Sequence, residues 1–276
     1  MGHPEEVIIR NLELFMRQKH GQNFLTDLNI ANNILKAADL ADEDNILEIG
    51  PGKGILTKLI QPRVNHLTAV EIDSVLSQQL KHYFSFHNVN NTEIITEDFL
   101  KLQAYDFSPL TACCLLPFKV ISNLPYNVGT AIIQKILPLD NWTLCVLMLQ
   151  KEVVQRLAAK PGDEDYGYIS IFTQYYADCK ILFDVSPKCF NPAPKVTSSV
   201  IKLTNKHVSV PDKILFDFIK HAFSQRRKTI LNSLSSFSKL DKTRASDLLK
   251  TCQIDPMLRP DKISLTDFLN LTSKLN

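Results

Sequence analysis

Short apolar runs alternate with helix-like segments from Asn45 onward, and the first run opens directly into a glycine loop, Gly50-Pro51-Gly52-Lys53-Gly54. This alternation leaves few architectures open, because each strand must return to the same sheet through a right-handed crossover. It predicts an α/β chain with a mainly parallel sheet and helices on both faces. Strands are expected over Asn45–Ile49, His66–Ile72, Thr92–Thr96, Leu115–Ser122 and Thr143–Gln150. Helices are expected from Ile55 to Ile60, Ser74 to Tyr83, Thr130 to Leu137, Glu152 to Ala159 and Tyr168 to Tyr176. Two more strands, Cys179–Val185 and Ser198–Leu203, follow each other across a proline-rich connection with no helix between them, which fits an antiparallel edge pair. Asp27 stands where it can cap an earlier helix that carries Ile30, Ile34, Leu35 and Ala38 at helical spacing.

Ligands bind outside the carboxyl ends of the strands in an open α/β sheet, and four strand ends here carry suitable groups. The glycine loop ends the first strand and lets a ligand approach the backbone with no Cβ in the way. Its G-x-G-x-G spacing is neither the dinucleotide fingerprint nor a phosphate-cradling loop. Glu71 ends the second strand, 21 residues beyond Gly50, the offset at which an acid reaches ribose hydroxyls. Asp98 follows the third strand and can accept from an adenine amino group. Asn123 ends the fourth, in Asn123-Leu124-Pro125-Tyr126. The bland alternative for Glu71 and Asp98 is a pair of helix-capping acids.

The charge distribution divides the chain. Net charge is +2, yet residues 201–276 carry 14 Lys and Arg against 7 Asp and no Glu. A basic segment on an acidic one points to a polyanionic partner for the basic part, or to a solvated basic face. Strand-like patterning stops near Asn205 and everything from Pro211 reads helical, so the domains are expected at 1–204 and 205–276. No apolar run approaches the ~18–20 residues needed to span a bilayer. The first residues lack the pattern of a secretory signal, and Glu6 stands where a myristoylation signal expects Ser or Thr. The six cysteines form no C-x-x-C pair and are expected to be reduced thiols. The seven histidines are scattered, which argues against a zinc site.

The order of strand-end ligands resembles class I S-adenosylmethionine-dependent methyltransferases, and Asn123–Tyr126 is similar to the motif of enzymes that methylate exocyclic amines of bases. Further segments stand in the order found in small-subunit ribosomal RNA dimethyladenosine transferases: GQNFLTD (21–27), ILEIGPGKG (46–54), AVEID (69–73), SNLPYN (122–127), LQKEVVQRL (149–157), FNPAPKVTSSV (190–200) and FSQRRKTILNSL (223–234). The chain resembles the bacterial form of that family over nearly its whole length. The resemblance implies a Rossmann-like methyltransferase domain with a mostly parallel seven-stranded sheet, followed by a small all-α C-terminal domain. It implies transfer of methyl groups from S-adenosyl-L-methionine to N6 of two adjacent adenines in the 3′-terminal hairpin loop of 16S rRNA, within the immature small ribosomal subunit.

The resemblance places cofactor contacts on Asn23, Leu25, Gly50, Gly52, Glu71, Asp98 and Asn123. In that reading the Asn123 side-chain oxygen and the Leu124 carbonyl accept the two N6 protons, and Tyr126 stacks on the base. Phe190 is a candidate second wall, with a core aromatic as the alternative. Lys195, Arg226, Arg227 and Lys228 are candidate RNA contacts, while Arg17, Lys19 and His20 depart from the basic run many members carry there. The same reading expects a cytoplasmic monomer with no metal and no membrane contact. Rival readings are a large-subunit adenine methyltransferase that confers antibiotic resistance, and a non-catalytic assembly or transcription factor on the same fold.

Overall fold

The computed structural model describes residues 23–102, 117–208 and 213–275. The strands are β1 (Phe24–Leu25), β2 (Asn45–Ile49), β3 (His66–Glu71), β4 (Thr92–Thr96), β5 (Phe118–Asn123), β6 (Trp142–Gln150), β7 (Ala177–Val185), β8 (Phe190–Asn191) and β9 (Ser198–Asn205). Helices α1 (Leu28–Ala38), α2 (Ile55–Ile60), α3 (Ser74–Phe86), α4 (Gly129–Ile136), α5 (Lys151–Ala158) and α6 (Tyr168–Tyr176) intervene. Four more close the chain: α7 (Lys213–Ser224), α8 (Ile230–Ser238), α9 (Lys242–Thr251) and α10 (Leu265–Thr272). No helix among the described residues is long and apolar enough to cross a membrane.

The expected seven-stranded sheet is present in the order β4-β3-β2-β5-β6-β9-β7. Neighbours from β4 to β6 are parallel, and β9 pairs antiparallel with both β6 and β7. The antiparallel pair therefore forms one side of the sheet, with β9 inside and β7 at the edge. Strand β2 is buried at all five positions, and its residues feed two cores. Ile46 packs with Ile34, Leu56 and Ile60 on one face, while Leu47 and Ile49 pack with Ile132, Val154 and Phe172 on the other. Burial on both faces is why the parallel strands read as continuous apolar runs. Asp27 caps α1 as expected, its Oδ1 accepting from the N–H groups of Asn29 (2.8 Å) and Ile30 (3.2 Å).

The strand order reverses about β2, which has β3 on one side and β5 on the other. This is the topological switch point, where the loops after two neighbouring strands splay apart and leave a crevice. The glycine loop follows β2 and the Asn123–Tyr126 segment follows β5. A ribbon absent from the sequence reading covers the approach: β1 pairs antiparallel with β8, Phe24 opposite Asn191 and Leu25 opposite Phe190.

The C-terminal helices share a core of Phe218, Ile219, Leu234, Leu249 and Phe268. Ala159, Tyr166 and Ile171, from the α5–α6 segment, are buried in that same core. The Tyr166 ring is 1% exposed and its hydroxyl donates to the Ile263 carbonyl at 3.0 Å.

Candidate functional site

The three loop glycines all hold positive φ, at 69°, 57° and 79° for Gly50, Gly52 and Gly54. Close approach reinforces the choice at two of them. A Cβ on Gly52 would stand 3.0 Å from the Phe24 ring, and one on Gly54 would stand 2.5 Å from Leu80 Cδ2. The loop is pinned to the neighbouring strand by the Gly50 N–H, which donates to the Val70 carbonyl at 2.9 Å. Glu71, at the end of β3, is 2% exposed. Its Oε2 accepts from the Gly52 N–H and its Oε1 from the Asp73 N–H, both at 2.9 Å. The carboxylate thus sets the loop's shape while it borders the crevice. Burial raises the Glu71 pKa, and the Asp73 and Gly52 N–H groups work against that rise.

Asp98 Oδ1 accepts from the Leu100 N–H at 2.9 Å, so this acid also shapes the turn that carries it. The turn is anchored from a distance. The Lys135 ammonium on α4 donates to the carbonyls of Phe99 (2.7 Å), Leu100 (2.9 Å) and Leu102. The helix that follows the Asn123 segment thereby holds the loop that bears Asp98.

Asn123 ends β5 opposite Met148, and its side-chain amide makes no hydrogen bond to a described residue. Ser122, fully buried, donates to the Ile49 carbonyl and ties this strand end to the one carrying the glycine loop. The Leu124 N–H donates to the Met148 carbonyl at 3.0 Å. The Pro125 ring lies against Gly50, and the Tyr126 hydroxyl is 2.6 Å from Ser198 Oγ.

These groups line one cavity of about 200 Å³, which Asn23, Leu25, Gly50, Gly52, Glu71, Asp98, Asn123, Leu124 and Tyr126 all border. The structure therefore brings together every residue expected to hold the cofactor or the target amine except Phe190. That ring is 4% exposed and packs with Leu25, Val185 and Val200, and Leu25, its partner in the β1–β8 ribbon, borders the cavity.

The basic candidates lie elsewhere. Lys195 is exposed in the β8–β9 connection, and Arg226, Arg227 and Lys228 are exposed on the α7–α8 turn. Arg226 is already engaged, donating to the carbonyls of Glu164 and Tyr166 at 3.2 Å each. Arg17, Lys19 and His20 lie outside the described residues.

The sequence reading missed Glu48, Phe24, Lys53 and Ser198. Glu48 is 1% exposed in the middle of β2 and borders the cavity, and its Oε2 has no hydrogen-bond partner among the described residues. An acid inside an apolar strand was the available signal. Burial, with the Glu71 charge adding to it, pushes the Glu48 carboxyl up to about 8, against a lowering contact from Thr57. The Lys53 ammonium sits 5.2 Å from the centre of the Phe24 ring at the rim. Because the folded-state pKa of Glu48 exceeds the unfolded value, the folded chain holds its proton longer. Its contribution to stability is full below about pH 4.5 and is lost as pH rises through about 8. Glu48→Gln should therefore raise the melting temperature more at pH 8.5 than at pH 5, as calorimetry at the two pH values will show. An equal shift at both would mean that Glu48 is ionised at low cost in the folded chain.

A family model described as ribosomal RNA adenine dimethylase matches residues 14–276. Proteins named ribosomal RNA small subunit methyltransferase A are similar along nearly the whole chain. The one from Alkaliphilus oremlandii is 40% identical over 97% of this chain and 94% of its own length. That from Halothermothrix orenii is 38% identical over 97% and 91%. Among solved structures, a dimethyladenosine transferase from Plasmodium falciparum superposes with a TM-score of 0.77 at 26% identity, covering 91% of this chain and 96% of that one. The 23S rRNA methyltransferase ErmE shares the fold, with a TM-score of 0.68 at 23% identity over 92% and 99%.

Proposed function

The chain belongs to the ribosomal RNA adenine dimethylase family, and from that premise we propose that it dimethylates N6 of two adjacent adenines in the 3′-terminal hairpin loop of 16S rRNA. The methyl donor in this reading is S-adenosyl-L-methionine, and the substrate is the immature small ribosomal subunit. One observation carries the proposal: the Asn123 amide, with no hydrogen-bond partner among the described residues, stands at a strand end beside the glycine loop, at the switch point of the sheet.

The residues present fit the cofactor. The cavity is bordered by Glu71, Glu97 and Asp98, with Lys53 at its rim, so its field suits a ligand bearing positive charge. Gly50 and Gly52 would let the ligand approach the backbone. Glu71 would hold ribose hydroxyls on the lone pairs that Gly52 and Asp73 leave open. Asp98 would take the adenine amino group on its second oxygen, and Asn23 and Leu25 would close the lid side. When bound, the cofactor supplies a methyl group already activated on a sulfonium.

The chain's own part in the reaction is orientation. Adenine N6 is a poor nucleophile because its lone pair is delocalised into the ring. The Asn123 side-chain oxygen and the Leu124 carbonyl accept the two N6 protons, so the lone pair localises and points out of the ring plane. No strong base is required, because the proton leaves N6 after the new N–C bond has formed. Tyr126 stacks on the base, which must be presented unpaired. Positioning of this kind is worth several orders of magnitude in rate.

Incubation with undermethylated small subunits, and separately with naked large-subunit rRNA, tests the substrate. Mass spectrometry should find paired dimethyladenosines in the former alone, and incorporation only into the latter would overturn the proposal. Residues 205–276 are proposed as a docking domain that follows a methyltransferase domain of residues 1–204. Lys195, Arg226, Arg227 and Lys228 would contact phosphate, and Arg226 also braces the loop at Glu164 and Tyr166. Replacing both Arg227 and Lys228 with Ala should weaken subunit binding and flatten its logarithmic salt dependence by about 0.7–0.9 per lost contact. A salt titration by filter binding measures the slope, and an unchanged slope removes these residues from the interface. The enzyme is proposed to act as a cytoplasmic monomer without a metal.

A further inference from the structure

Tyr126 reaches across the sheet. Its segment leaves β5, while Ser198 begins β9, and β6 lies between the two strands. Two strand spacings amount to about 10 Å, and the tyrosine closes that gap with a 2.6 Å contact between its hydroxyl and Ser198 Oγ. Ser198 is fully buried, and Tyr126 is its hydrogen-bond partner among the described residues. Burial raises the Tyr126 pKa and the Ser198 contact opposes the rise, so the phenol stays neutral and the contact is an ordinary hydroxyl–hydroxyl bond.

The far end of this contact is rigid. Ser198 pairs with Gln150 on one side and Val185 on the other. The Lys151 N–H donates to the Thr197 carbonyl at 3.0 Å. Ser199 Oγ donates to Asp184 Oδ1 at 2.5 Å, and Lys151 pairs with Asp184 Oδ2 at 2.6 Å. The near end of the segment is fixed as well, by Ser122 on the Ile49 carbonyl. The span from Asn123 to Tyr126 is thus stapled at both ends, to the glycine-loop strand by Ser122 and to the antiparallel pair by Ser198.

We propose that Ser198 is a positioning residue for methyl transfer, holding the Tyr126 ring by its hydroxyl so that the ring face and the Leu124 carbonyl meet the target base together. The inference rests on the proposed role of Tyr126 in stacking. A half-buried ring bonded at its far end to a fixed hydroxyl is restrained about its first side-chain torsion, so the stacking face is biased before RNA arrives. Loss of the bond frees the ring without touching any group that contacts the cofactor.

The test is a double-mutant cycle on undermethylated small subunits with Ser198→Ala, Tyr126→Phe and the pair together. Each single change removes the same bond from a different side, so either variant alone still tests the bond if the other folds poorly. Each single variant is expected to lower kcat about tenfold, with cofactor affinity within about twofold of the parent. The pair is expected to be no slower than either single variant, since there is one bond to lose. Additive losses, a parental kcat in Ser198→Ala, or a loss carried by cofactor affinity would each overturn the latch. If the unsubstituted chain transfers no methyl to small subunits, the functional reading falls first and the latch with it. A parental rate in the variants beside an active unsubstituted chain overturns the latch alone.

Discussion

Glu71→Ala is expected to abolish methyl transfer and to weaken cofactor binding by more than about 100-fold, while small-subunit binding stays within about threefold of the parent. Two losses combine. Ribose hydroxyls lose their charged acceptor, and hydrogen bonds to a charged group contribute about 1.5–3 kcal/mol each. The Gly52 and Asp73 N–H groups lose theirs too, and those bonds give the glycine loop its shape. Equilibrium dialysis with labelled cofactor and filter binding with subunits separate the effects. Joint loss of both affinities would show that the cofactor and RNA surfaces are coupled more closely than the separation of the Arg227 turn from the cavity implies.

Asn123→Ala should lower the single-turnover rate by about 10³, because the orientation of the N6 lone pair goes with the amide oxygen. Asn123 borders the cofactor cavity as well, so a weaker cofactor affinity accompanies the slower step. Tyr126→Ala behaves differently. Stacking on a base is worth roughly 1–3 kcal/mol, and its loss falls on RNA engagement, with cofactor affinity kept. Rapid-quench measurement at saturating cofactor distinguishes the two variants. A parental single-turnover rate in Asn123→Ala would remove the amide from the chemistry.

The sheet was legible because its physics is local. Parallel strands buried on both faces read as apolar runs, and the glycine loop, Glu71, Asp98 and Asn123 each stand where such a run stops. The β1–β8 ribbon was not legible, since two residues carry no period. The placement of Phe190 was not legible for the same reason: it depends on pairing with Leu25, far away in the chain. The Ser198 contact spans 72 residues and passes over a strand, so no spacing in the sequence reports it. The contacts of Arg226 with the carbonyls of Glu164 and Tyr166 span 60 residues or more, and nothing in the Arg226–Lys228 run reports them. Glu48 was visible and overlooked, an acid inside an otherwise apolar strand.

Tyr166 has an implication for how sequences in this family can be recombined. Its ring, with Ala159 and Ile171, is part of the hydrophobic interior of the terminal helices although it precedes the last two strands of the main sheet. The helical unit is therefore not an exchangeable cassette that begins where the strands end. A chimera joined near residue 205 would set one parent's aromatic plug into a socket shaped for the other. A compatible exchange has to carry the α5–α6 segment with the helices, because the two stretches share one core.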